Sequence, residues 1–217
     1  MATIIGFVSQ KGGVGKSTLS RLIAREYSTA GWTVKIADLD VAQGTSFNWQ
    51  ARRLQHQVMP DIPVERFRSV QLALKVAQHY DLLVLDGPPQ ASEATLQIAR
   101  AGDLVVIPTG LSLDDLEPGV LLAHELVSRG VAPTKIAFVL CRVGESQAEI
   151  ADARQYIAQA GYRVLAGYLP ERVAYRRAAD EGCALTETRF PSLNAKADEL
   201  AQGIVDLLAD LEKQKAA

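Results

Sequence analysis

The sequence predicts a doubly wound α/β domain, with a mostly parallel sheet flanked by helices on both faces. Three observations predict it. Apolar runs such as LLVLD (82–86) and LVVIP (104–108) are unbroken, as strands covered on both faces of a parallel sheet are. Stretches of helical periodicity separate these runs along the whole chain. No internal repeat, low-complexity tract or linker interrupts the alternation, so residues 1–217 read as a single domain, long enough to bury an ample core.

The first strand is expected at Thr3–Ser9. It begins almost at once, which leaves no room for a signal peptide or an extra N-terminal domain. A helix starting around Gly15 places Leu19, Leu22, Ile23 and Tyr27 on one face, and Gly31 follows its end as a stop. Thr33–Asp40 reads as the second strand, followed by a helix over Gln43–His56. Strands at Val64–Arg68 and Asp81–Asp86 bracket a helix over Ser69–Gln78. A helix over Ala91–Ala101 leads to a strand at Leu104–Pro108, and one over Asp114–Arg129 leads to Lys135–Cys141. A helix over Gln147–Ala160, a strand at Val164–Leu169 and helices over Val173–Glu181 and Ser192–Leu211 complete the order.

Composition narrows the function classes. Hydrophobic residues make up 48% and charged residues 22%, ordinary values for a soluble globular protein. A net charge of −2 gives no global attraction to nucleic acid or anionic lipid, so any such binding needs a local patch. Cys141 and Cys183 stand far apart with no C-x-x-C, against a disulfide framework or an iron–sulfur site and in keeping with a reducing cytoplasm. No apolar run approaches the ~20 residues of a membrane span. His56, His79 and His124 lack metal-ligand spacing, and Trp32 and Trp49 read as packing residues.

The stretch SQKGGVGKSTLS (9–20) carries the chemistry. A strand, a glycine-rich turn and a helix in that order are the context of a phosphate-binding loop. Gly12, Gly13, Val14 and Gly15 would turn backbone N–H groups toward phosphate oxygens at a helix N-terminus. Lys16 would bridge the β- and γ-phosphates of ATP, Ser17 would complete a Mg²⁺ shell, and Thr18 would touch the α-phosphate. Lys11 is the departure, a second lysine at the start of the same loop. With it the loop resembles the deviant Walker A family, K-G-G-x-G-K-[ST], which includes the ParA and MinD ATPases. The resemblance implies that Lys11 crosses a homodimer interface to the partner's phosphates, coupling ATP occupancy to dimerisation and stabilising charge during hydrolysis.

Further segments extend the likeness from Thr3 to about Leu211. ADLDVAQ (37–43) is similar to the family's D-x-D-P-Q, with Val41 and Ala42 in place of the proline step. Asp38 and Asp40, two apart at a strand end, would share one side of an extended segment facing the ligand crevice. By resemblance Asp40 orients the attacking water, and Asp38 serves the Mg²⁺ shell or the loop geometry. YDLLVLDGPP (80–89) resembles a Walker B strand, in which Asp86 binds Mg²⁺ and Gly87–Pro88 sense the γ-phosphate. Pro108 and Asp115 match a later strand–loop, and Pro170, in YLPERVAYRRAADEG, would line the adenine beside Cys141.

The chain is most similar to short ParA partition ATPases. That implies a cytoplasmic, nucleoid-associated protein that binds DNA nonspecifically as an ATP-bound homodimer. A centromere-binding or cargo-adaptor protein would stimulate hydrolysis and release it. A conjugative-transfer relative, another cargo, or a DNA-independent assembly or metabolic ATPase remain as alternatives. The MinD-like membrane reading fails on the last helix, whose polar face carries Asp198, Glu199, Asp206, Asp210 and Glu212 and no aromatic anchor. For DNA, Arg163 to Arg189 holds five arginines against four acids, with Arg172, Arg176 and Arg177 close together. Arg52, Arg53, Arg66 and Arg68 form a second candidate cluster.

Overall fold

In a computed structural model, which describes residues 2–89 and 92–216, seven strands form one parallel sheet in the order β3-β2-β4-β1-β5-β6-β7. The strands are β1 (Thr3–Phe7), β2 (Val34–Asp38), β3 (Val64–Arg66), β4 (Leu82–Asp86), β5 (Leu104–Thr109), β6 (Ile136–Val143) and β7 (Arg163–Pro170). The helices are α1 (Lys16–Thr29), α2 (Thr45–Gln55), α3 (Val70–Val76), α4 (Glu93–Ala101), α5 (Leu113–Ser128), α6 (Gln147–Gln159), α7 (Val173–Asp180) and α8 (Pro191–Ala216). Every strand and helix expected from periodicity is present, with ends shifted by a few residues. Ala91, the expected start of α4, lies outside the described residues. The helix expected over Ser69–Gln78 tightens into a 3₁₀ turn at Ala77–His79.

The unbroken apolar strands mean what their pattern implies, because successive side chains enter different cores. Ile5, Phe7, Leu82, Val84, Leu104 and Val106 face one core, covered by α1, α2, α7 and α8. Val8, Leu83, Leu85, Val105 and Ile107 face the other, covered by α3, α4, α5 and α6. In α8 the apolar positions Leu200, Ile204, Leu207 and Leu211 all lie in the first core. A Cβ on Gly167 of β7 would stand 2.8 Å from the Leu200 Cα, so helix and strand are in direct contact. Burial of each such side chain contributes about 1.5–3 kcal/mol, which docks α8 on the sheet. Among the described residues no helix is long and apolar enough to cross a membrane.

Two expectations need correction. The second strand ends at Asp38, so Asp40 lies in the following turn and strand alternation does not govern it. The Asp40 carboxylate accepts from the Gln43 N–H at 3.1 Å, and its carbonyl accepts from the Gly44 N–H at 2.7 Å. The arginine cluster at 52–68 is likewise split, with Arg66 and Arg68 exposed but Arg53 inside. Arg53 is wholly buried and Arg66 stacks on the Phe47 ring at 4.6 Å.

Candidate functional site

The chain runs outward from β1 through β2 to β3, returns at β4, then proceeds to β5, β6 and β7. The reversal places the loop after β1 between the ends of β4 and β5, where a crevice opens at the carboxyl edge of such a sheet. Lys11, Asp40 and Asp86 all converge on this edge.

The loop is shaped for close approach. Gly13 and Gly15 have φ of +73° and +118°, left-handed values that favour glycine. A Cβ on Gly15 would also press within 3.1 Å of the Cys141 Sγ. Gly15 is the N-cap of α1 and no side chain caps that end, nor does its first turn hold an acid. The first N–H groups of a 14-residue helix therefore remain open to an anion. Two cavities meet here. One of 180 Å³ is lined by Gly12, Gly13, Gly15, Lys16, Ser17, Thr18 and Asp40. The other, of 270 Å³, is lined by Gly13, Gly15, Thr18, Cys141, Pro170 and Tyr175, among others. Val14 is buried, so only its backbone faces a ligand.

Lys16 is buried, with its ammonium donating to the Ser9 hydroxyl at 2.8 Å and the Lys11 carbonyl at 3.1 Å. Burial pulls its pKa down, and the charges of Asp86 and Asp40 oppose the fall. Its partners are neutral, so the charge is available for an incoming anion. Lys11 is half-exposed and its ammonium pairs with Asp115 Oδ1 at 3.2 Å, while Arg142 holds Asp115 Oδ2 at 3.0 Å.

The three carboxylates differ. Asp38 is fully buried and acts on the backbone. Its Oδ2 accepts from the N–H groups of Ser46 and Phe47, both at 3.0 Å, and its Oδ1 from the Asp40 N–H at 3.1 Å. With both oxygens engaged, Asp38 fits the loop-shaping role rather than a cation shell. Asp86 is the opposite case. Its Oδ2 accepts from the Ser46 hydroxyl at 2.7 Å, and its buried Oδ1 has no partner among the described residues. Burial, helped by the Asp38 charge, pushes its carboxyl up to about 6, with the Ser46 hydrogen bond, the Arg21 charge and the nearby Ser17 hydroxyl pulling the other way. Ser46 and Arg21 are site residues that the sequence reading missed. The only local signal was a serine in the first turn of the helix after Asp40.

These residues fit a magnesium–nucleotide. Among the described residues no group of three or more His, Cys, Asp or Glu side chains could hold a cation alone. Mg²⁺ keeps waters and uses one or two carboxylates together with ligand phosphates. An orphaned Asp86 oxygen near Ser17, beside an uncapped helix end, is such a donor set.

Comparison with known proteins agrees with this geometry. Residues 5–185 match the model of the CobQ/CobB/MinD/ParA nucleotide binding domain. The chromosome-partitioning ATPase Soj of Thermus thermophilus is 31% identical over 160 residues, 59% of this chain and 64% of that protein. The match thus spans just under two thirds of the curated relative. In fold, the chain is similar to MinD of Pyrococcus horikoshii in complex with Mg-ADP (TM-score 0.77, 18% identity, 97% and 99% of the two chains). It is also similar to an ATP complex of McdA from Cyanothece (TM-score 0.71, 15% identity, 94% and 96%). Sheet order, glycine loop and matched span together place the chain in the CobQ/CobB/MinD/ParA nucleotide-binding family.

Proposed function

We propose that the chain is a Mg²⁺-dependent ATPase of DNA partition that dimerises on ATP, binds duplex DNA nonspecifically in that state, and is released when a partner protein stimulates hydrolysis. The observation that carries it is the pair of lysines on one glycine loop, one buried toward the phosphate cavity and one held loosely at its rim. Bound ATP supplies the phosphoanhydride bond, and Mg²⁺ supplies counter-charge to its phosphates.

The loop N–H groups and Lys16 bind the phosphates. Ser17 and Asp86 hold the cation, and Pro170 and Tyr175 wall the side where the base would lie. Asp40, at the cavity wall, orients water for attack. Asp40→Ala is therefore expected to leave ATP affinity within about threefold and cut hydrolysis by about 10²-fold or more, since general-base and positioning groups contribute about 10²–10⁴. Single-turnover phosphate release checks it, and a wild-type rate would remove Asp40 from the mechanism.

Lys11 must leave Asp115 to reach a sister chain. That half-exposed pair is worth only about 0–1 kcal/mol, so a triphosphate outcompetes it. Lys11→Ala should bind ATP within a few-fold of wild type, about 1 kcal/mol, yet stay monomeric. An ATP-dependent dimer peak for this variant in size-exclusion chromatography would count against the role.

For DNA, the structure reduces the usable cations. Arg172 and Arg176 pair with Glu145 and Glu171. Arg177 and Arg189 are in no ion pair among the described residues, and they line a 460 Å³ cavity beside Phe190, which Arg189 stacks on. A dimer would present this patch twice. Gel shifts with unrelated duplexes, compared in ATP, ADP and no nucleotide across salt, test the reading. ATP-dependent, sequence-blind, salt-sensitive shifts support partition. The net charge of −2 favours the second reading, a DNA-independent assembly or metabolic ATPase, and no shift at low salt would select it.

A further inference from the structure

We propose that Arg21 is a positioning residue for the Asp86 carboxylate, acting through the Ser46 hydroxyl to keep one Asp86 oxygen reserved for the divalent cation. The inference rests on the nucleotide reading above and adds to it a residue that lines neither cavity.

Arg21, Ser46 and Asp86 come from α1, the first turn of α2 and the end of β4, and all three are buried. The Arg21 Nε–H donates to the Ser46 Oγ at 3.2 Å, and the Ser46 O–H in turn donates to Asp86 Oδ2 at 2.7 Å. A hydroxyl has one proton and two lone pairs, so a donor on the lone-pair side fixes which way the proton points. Asp86 Oδ2 is thereby engaged from one direction, and Oδ1 is left without a partner among the described residues.

Comparison with Arg53 sets Arg21 apart from an arginine whose bonds are all structural. Arg53, also buried, uses its whole fork. Its Nε donates to the Pro60 carbonyl, its Nη1 to the Gly182 carbonyl and Glu187, and its Nη2 to Glu187. Among the described residues, Arg21 makes one hydrogen bond, leaves Nη2 without a partner, and otherwise rests 5.5 Å from the Trp49 ring centre. A buried guanidinium with unmet donors is costly and calls for a reason. Burial pulls it down to about 10, opposed by Asp86 and Asp38, so it stays charged at neutral pH beside the carboxylates it serves.

The test uses the full chain, MgCl₂ and a fluorescent non-hydrolysable ATP analogue. Arg21→Met keeps the packing stem, and Ser46→Ala removes the relay while leaving the arginine charge in place. Each should raise the Mg²⁺ concentration for half-maximal retention of the analogue by about 10-fold, as loss of an outer-shell partner does. Affinity in EDTA should stay within about twofold, and the double variant should be no worse than the poorer single one, as for members of one chain of contacts. An unchanged Mg²⁺ requirement in folded variants overturns the proposal, as does an equal loss with and without Mg²⁺. Should Arg21→Met fail to fold, Ser46→Ala decides alone. A wild-type chain that retains no analogue overturns the nucleotide reading and this inference with it, whereas normal wild-type binding with unchanged variants overturns only this one.

Discussion

Lys16→Ala is expected to weaken ATP binding by at least about 100-fold, or close to 3 kcal/mol, since hydrogen bonds to charged groups contribute about 1.5–3 kcal/mol each. The geometry makes the loss specific. In the chain the Lys16 ammonium rests on a hydroxyl and a carbonyl, both neutral, at 2.8 and 3.1 Å. Burial penalises its charge more than the nearby Asp86 and Asp40 charges favour it. The same substitution should therefore leave the melting temperature of the nucleotide-free chain unchanged or slightly raised. Isothermal titration with ATP and a thermal melt without it check both halves. An affinity within tenfold of wild type would mean that the loop N–H groups hold the phosphates by themselves.

Glu187→Ala should cost about 3–5 kcal/mol of stability, the usual consequence of stranding a buried charge. Arg53 is fully buried and receives Glu187 on two nitrogens, at 2.6 and 2.9 Å. Glu187 also accepts from the Ala184 N–H at 2.7 Å and from Arg25 at 3.3 Å. A Cβ on Gly182, where φ is +79°, would stand 2.3 Å from the Arg53 backbone nitrogen, so the loop after α7 lies directly on α2. Trp49 completes the joint through its Nε1–H to the Cys183 carbonyl at 3.0 Å. Chemical denaturation of wild type and variant gives the loss. Replacing both charges, Arg53→Met with Glu187→Met, should recover much of it, because a paired buried charge adds little over packed apolar groups.

The same group sets a pH dependence. Burial pulls the Glu187 carboxyl upward, but the Arg53 and Ala184 hydrogen bonds and the Arg53 and Arg25 charges outweigh it and hold it below its ordinary 4.5. A carboxyl lowered on folding adds stability that is complete above its unfolded value. That stability is lost as pH falls through the folded value. Wild type should thus lose stability below about pH 4.5, and Glu187→Ala should show a flatter acid limb over the same window.

Much of the site was legible because its signals are local. Lys11, the glycines, Lys16 and Ser17 sit in one turn between a strand and a helix, and the conformation of each follows from its neighbours. Asp86 closes an apolar strand, so burial and position were both implied by LLVLD. Asp38 and Asp40 were recognisable as a pair, but their division of labour was not. Two-residue spacing implies extended geometry for both, whereas the strand stops at Asp38, which gives one oxygen to the α2 backbone and the other to the Asp40 N–H. Arg21 and Arg53 were illegible as buried residues, because charged side chains are by default exposed. Their partners lie 25 and 134 positions away.

By itself the sequence determined the order of strands and helices, the two-sided burial of the sheet and the phosphate-binding turn. Those follow from side-chain period and from glycine, both of which act between near neighbours. The tertiary structure alone decided which charges go inside and what each one holds: Lys11 on Asp115, Arg21 behind Asp86, Arg53 locked to Glu187. Charges meet through space, and only the packing of segments from distant parts of the chain brings Lys11 to Asp115, Arg53 to Glu187, and Arg21 to Asp86 by way of Ser46.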